Sequence, residues 1–140
     1  MTLSAFHLRR FSFSILFFSL LMAGGLRPAF ASPEAVVHQY FEAFADNNVE
    51  GYLSCIRFEP GGMDLPGVRE MAGMLVGRTH SSFRQLGGIE SVRTVILKQD
   101  GNTATVGAYL LFHNGSIYHG GILYLLKEED WKIDLSPLIE

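Results

Sequence analysis

Residues 89–135 read IESVRTVILKQDGNTATVGAYLLFHNGSIYHGGILYLLKEEDWKIDL, and the fold turns on them. Apolar residues alternate along four runs, 89–98, 103–112, 116–127 and 131–135, the period-two pattern of strands. Asp100-Gly101 and Asn114-Gly115 are two-residue hairpin signals, because Asp, Asn and Gly tolerate the positive φ that tight turns require. Glu128-Glu129 turns the third connection. The stretch therefore predicts a four-stranded antiparallel meander. Counting outward from the turns pairs Val95 with Val106, Ala108 with Gly121, Leu110 with His119, Leu123 with Asp134 and Leu126 with Trp131. One face then collects Ser91, Arg93, Val95, Val106, Ala108, His119, Leu123 and Asp134. The other collects Thr94, Ile96, Tyr109, Tyr118, Tyr124, Trp131 and Ile133. Neither is polar enough to lie in water, so both are expected to be covered, one by helices and the other by a second subunit. Gly107, Gly120 and Gly121 fall mid-strand, and a bulge at Gly120-Gly121 would exchange the faces beyond it.

Upstream, the period is helical. Ser32-Pro33-Glu34 is a start signal: a capping hydroxyl, a proline in the first turn, then an acid near the positive end of the helix dipole. Val37, Tyr40, Phe41 and Phe44 make one apolar stripe. Asp46-Asn47-Asn48 stops this helix, and Asn48 can cap a short second one that turns Val49, Tyr52, Leu53 and Ile56 inward. Pro60, Gly61, Gly62, Pro66 and Gly67 mark a loop over 57–67. A third helix over 68–86 carries Val68, Met71, Ala72, Leu75, Val76, Thr79, Phe83 and Leu86 at helical spacing. Met71, Met74 and Phe83 are expected in the core, and Gly87-Gly88 ends the helix. The whole is α+β, with three helices packed on one face of the sheet.

Residues 1–31 read as an export signal. Arg9 and Arg10 precede an uncharged apolar stretch over 11–26, and Ala29-Phe30-Ala31 is a small-x-small cleavage site. The apolar stretch is about 16 residues, short of the ~20 that a spanning helix needs, so no membrane span is expected after cleavage. The domain is then 32–140, destined for the periplasm or the external medium. The leader removes three of the 11 basic residues and none of the 14 acidic ones, leaving a net charge of −6. That charge argues against nucleic acid as a partner. Cys55 is the one cysteine, expected to be buried and unpaired. No metal-ligand spacing, P-loop, dinucleotide fingerprint or nucleophile elbow is present, so neither a metal nor a cofactor is expected.

The phrase PEAVVHQYFEAFADNNVEGYLSCI, together with the sheet stretch quoted above, resembles the nuclear transport factor 2-like superfamily. Within it the chain looks most like an exported family catalogued as domain of unknown function 4878. The resemblance implies a cone: a curved sheet wrapped round helices over an apolar cavity, often dimeric. It implies no single activity, since the superfamily includes isomerases, dehydratases and non-catalytic scaffolds.

In such a cone Tyr40, Phe44, Tyr52 and Phe83 would line the helix side of a cavity, or serve as plain core. Arg93 could hold an anion and His119 could shuttle a proton, with Asp134 nearby. The alternative is that these three are rim or structural residues. His38, His80 and His113 read as solvated or capping residues. The leading expectation is a non-catalytic domain that binds a small apolar or amphipathic ligand, or a protein partner, and dimerises through its sheet. An isomerase- or dehydratase-like enzyme using His119 or Asp134, and a structural subunit of an envelope complex, are the alternatives.

Overall fold

The computed structural model describes residues 30–136. The expected leader lies outside them but for Phe30 and Ala31. Helix α1 (Pro33–Ala45) begins where Ser32 Oγ accepts the Ala35 N–H at 3.2 Å. It ends where Asn47 turns to φ 52° and the Asn48 N–H reaches Ala43 O at 2.8 Å. Asn48 Oδ1 then accepts the Gly51 N–H at 3.0 Å and opens α2 (Val49–Cys55). A 3-10 turn (Gly62–Asp64) interrupts the loop before α3 (Val68–Gln85). Gly87 and Gly88 close α3 with φ of 87° and 83°, and the Gly88 N–H bonds to Phe83 O at 2.9 Å. This is the left-handed ending that glycine permits.

Of the expected stripe of α1, Val37, Phe41 and Phe44 are in the core and Tyr40 is half-buried, while Val36, not in that stripe, is buried with them. The face of α3 is narrower than its periodicity suggested. Only Ala72 and Val76 are buried, while Met71 is 73% exposed and Met74 and Leu75 also face out. The seam of α3 lies along α1 and α2, and Phe83 near its end reaches Phe112 of the sheet at 5.1 Å. A stripe one helix wide is all that such a seam can cover.

Strands β1 (Ile89–Asp100), β2 (Thr103–Phe112), β3 (Ile117–Lys127) and β4 (Trp131–Ile133) form an antiparallel sheet in sequence order. The meander is as expected, and so is the pairing of Ala108 with Gly121, but the rest of the expected register is not. Leu97 is an extra residue in β1, so Ile96 faces Val106 and Val95 faces Gly107. The second turn holds residues 113–115, not two residues, so Leu110 faces Tyr118 and Tyr109 faces His119; Gly120 is then an extra residue in β3 that brings Gly121 opposite Ala108. This bulge falls at the glycine pair that suggested one, and Gly121 takes φ 92° beside it. The third turn holds residues 128–130, not two residues, so Leu126 faces Lys132 and Lys127 faces Trp131.

Each irregularity moves side chains to the opposite face, because the side-chain period of a strand is two. The inner face thus carries Ala104, Val106, Ala108, Leu110, Phe112, Leu123, Leu125, Trp131 and Ile133, all buried against the helices. The outer face carries Arg93, Val95, Tyr109, His119, Ile122, Tyr124 and Asp134. Behind β4, Ile56 bridges Ile133 in parallel, the Arg57 N–H bonds to Ile133 O at 2.8 Å, and Arg57 Nε pairs with Glu128 at 2.8 Å. The second expected cover is not supplied by the described residues. Val95, Leu97, Tyr109, Ile117, Ile122 and Tyr124 are between 39% and 69% exposed on the outer side.

Candidate functional site

Two groups of residues could carry function, one on each side of the sheet. The first is an aromatic nest. Tyr40, Phe44, Tyr52 and Phe83 come together as expected, with ring centroids 4.8 Å apart for Tyr40–Phe44, 5.7 Å for Tyr40–Tyr52 and 6.2 Å for Phe44–Phe83. Tyr40–Phe44 and Phe44–Phe83 meet edge to face, the preferred packing of the aromatic quadrupole. Cys55 lies beneath the nest, fully buried, with Sγ donating to Gly51 O at 3.3 Å. Burial pushes the Cys55 thiol up to about 11, against smaller lowering effects of Ser54 and Lys132. Burial also pushes the Tyr40 phenol well above its ordinary value, with Tyr52 and Cys55 adding to it, and Tyr52 is raised for the same reason. These groups stay neutral at ordinary pH. Among the described residues no charged or polar residue is fully buried, and the imidazole beside the nest is that of half-buried His80. His80 Nδ1 sits 3.1 Å from Phe44 O and fastens α3 to α1.

The second group is on the outer face. Arg93, Tyr109 and His119 occupy one row across β1, β2 and β3, and the Tyr109 and His119 rings are 5.1 Å apart. Arg93 and His119 therefore do share a face, but not the one with Val106 and Ala108 on which the expected site was built. Both are exposed. Asp134 lies on the same side but two rows away. Its N–H bonds to Tyr124 O at 2.8 Å, and its Oδ1 accepts the Ser136 N–H at 3.1 Å and the Ser136 hydroxyl. The chain thus brings the four aromatics together and keeps Arg93, His119 and Asp134 apart from them.

Two hollows open on the outer face. One of about 290 Å³ lies over Gly107, walled by Val95, Leu97, Tyr109, His119 and Ile122. The other, about 300 Å³, lies among Lys98, Thr105, Tyr124 and Asp134. Gly107 was singled out from sequence only as a mid-strand glycine, and neither Ile122 nor Lys98 was named as a site residue. Among the described residues no group of three His, Cys, Asp or Glu side chains is placed to hold a metal ion. No described helix is long and apolar enough to cross a membrane.

No family model and no curated protein matches the chain, so the narrower resemblance to domain of unknown function 4878 gains no support. Solved structures do match. A Campylobacter jejuni protein named as an NTF2-like transpeptidase aligns with a TM-score of 0.60 at 14% identity, over 75% of this chain and 100% of that one. A Thiobacillus denitrificans protein named as a calcium/calmodulin-dependent protein kinase type II association domain aligns at 0.46 and 14% identity, over 76% and 93%. A Novosphingobium aromaticivorans protein named as an aromatic ring hydroxylase aligns at 0.41 and 14%, over 71% and 80%. The first likeness and the element order above establish a nuclear transport factor 2-like α+β fold.

Proposed function

We propose that this chain is an exported, non-catalytic interaction domain that works as a homodimer joined through the outer face of its sheet. One observation carries the reading: six large apolar side chains on that face stand 39–69% exposed in the single chain. A contiguous apolar patch of this kind on a lone domain marks an interaction surface. Export follows from the leader pattern over 1–31, and the negative charge of the remainder suits a protein partner over a nucleic acid.

The transpeptidase name of the Campylobacter protein does not transfer. Acyl transfer needs an activated nucleophile, and Cys55 is buried with its thiol pushed up, away from the reactive thiolate. An isomerase-like reading would rest on half-buried His80, whose Nδ1 is taken up by Phe44 O at 3.1 Å. The aromatic nest is better described as packed core, since its rings contact one another directly.

Sedimentation equilibrium of the processed protein tests the reading. Wild type is expected as a dimer, and Ile122→Arg, which puts a charge in the middle of the exposed face, as a folded monomer. A wild type that stays monomeric at every concentration overturns it. Intact mass after export checks the leader: loss of residues 1–31 is expected, and a full-length chain would remove the export reading.

A further inference from the structure

Gly107 is not required as a glycine by its backbone angles or by a clash with any described residue. It lies in the middle of β2, an inner strand, where glycine is unfavourable. Its backbone does not need glycine, for the positive φ values fall at other residues. Its surroundings do not need glycine either. A Cβ placed there would meet Leu97 Cδ1 at 3.7 Å, an ordinary contact. This contrasts with Gly120, where a Cβ would lie 2.8 Å from Phe41 Cζ. A mid-strand glycine often marks a bulge or a place where a ligand or another backbone comes close; Gly107 lies opposite the Leu97 bulge, and the hollow of about 290 Å³ above it opens outward.

On the reading proposed above, that molecule is a second copy, and the rows of the sheet say how it sits. Two sheets pack face to face with their strands within about 30° of each other. A twofold axis between them, parallel to the strands and over the β2–β3 boundary, exchanges β2 with β3 and β1 with β4, and keeps each row in place. In the row Val95–Gly107–Ile122, this lays Ile122 of the second copy over Gly107. In the row Lys98–Thr105–Tyr124–Asp134, it lays Lys98 of the second copy over Asp134. Symmetry repeats both contacts. An axis perpendicular to the strands instead puts each strand over itself; placed over the Tyr109–His119 row it sets Arg93 against Arg93, a like-charge contact that costs affinity. The face measures roughly 30 Å by 15–20 Å from ordinary strand dimensions, the same order as the ~800 Å² that each partner of a stable dimer buries.

We infer that a second copy seats its Ile122 in the hollow over Gly107 and its Lys98 opposite Asp134, so that these residues select the arrangement of the dimer. Gly107→Val fills the hollow with a strand-favouring side chain. It should keep the circular dichroism of the fold and raise the dimer dissociation constant on the order of 100-fold, as loss of a central contact does. Gly107→Ala, a smaller change, should raise it about 10-fold. Lys98→Asp or Asp134→Lys alone should weaken the dimer about 10-fold, and the double swap should restore it. A dimer in which the Gly107 variants associate as tightly as wild type and the double swap gives no rescue overturns this inference and leaves the dimer standing. A wild type without any dimer removes the parent reading itself.

Discussion

Gly120 has no side chain because Phe41 occupies the space that one would need. A Cβ there would stand 2.8 Å from Phe41 Cζ and 3.2 Å from Ala108 Cβ, both in the packed core. Gly120→Ala should therefore cost about 1–3 kcal/mol, the range for overpacking a filled core, read as a lower urea midpoint. Cys55 is buried for the same reason of packing, and its thiol is held neutral up to about pH 11. In the unfolded chain it ionises near 8.5. The unfolded state therefore loses its proton first, so this contribution to stability is complete below pH 8.5 and is lost as the pH climbs to about 11. Tyr40 and Tyr52, raised by burial, extend the loss above pH 10. Urea midpoints should fall steadily from pH 8 to 11, and Cys55→Ala should flatten the first part of that fall. A midpoint independent of pH in this window would contradict the burial of these groups. The burial of Cys55 was legible from the habit of free cysteines, and the gathering of the aromatic nest from helical spacing. The setting of Arg93 and His119 was not, since one extra residue in β1 and one in the second turn decide which face they share.

At the scale of elements, helix limits were readable to within a residue or so because caps are local chemistry. Ser32 and Asn48 each bond to an N–H three residues on. Asn48→Ala should cost about 1 kcal/mol by removing the cap of α2. The interior of α3 carries Gly73 and Gly77, and a Cβ at either meets nothing within 4 Å. Gly73→Ala and Gly77→Ala should each stabilise the fold by roughly 0.5–1 kcal/mol, through backbone entropy alone. Thermal denaturation checks this as a rise of a few degrees, and no rise would mean that α3 is held in a way its packing does not suggest. The orientation of Met71, Met74 and Leu75 was not readable, because apolar spacing reports a stripe and only the neighbouring helices set how much of it is covered. In the sheet, alternation located the strands well. The turn glycines placed the hairpins, though the first turn pairs Asp100 with Thr103 and the second and third each hold one residue more than expected.

For the molecule as a whole, an uncovered sheet face and a closed core are two parts of one design. The core beneath the sheet is filled by α1, α2 and the inner strands, so apolar residues in excess of that core collect on the outside. If a second copy covers them, folding and association are linked, and the melting temperature should rise with protein concentration. Differential scanning calorimetry over a hundredfold range checks this, and a constant melting temperature together with a monomer in sedimentation would end the dimer reading. The sequence by itself determined what depends on near neighbours: three helices and their limits, four strands and their order, and the aromatic stripe of α1. Only the tertiary structure decided which sheet face looks inward. That choice rests on single-residue irregularities, and at Gly120 the neighbour that fills the adjoining space, Phe41, lies in a distant helix. Alternation along a strand repeats every two residues, so one inserted residue reverses the assignment of every side chain beyond it.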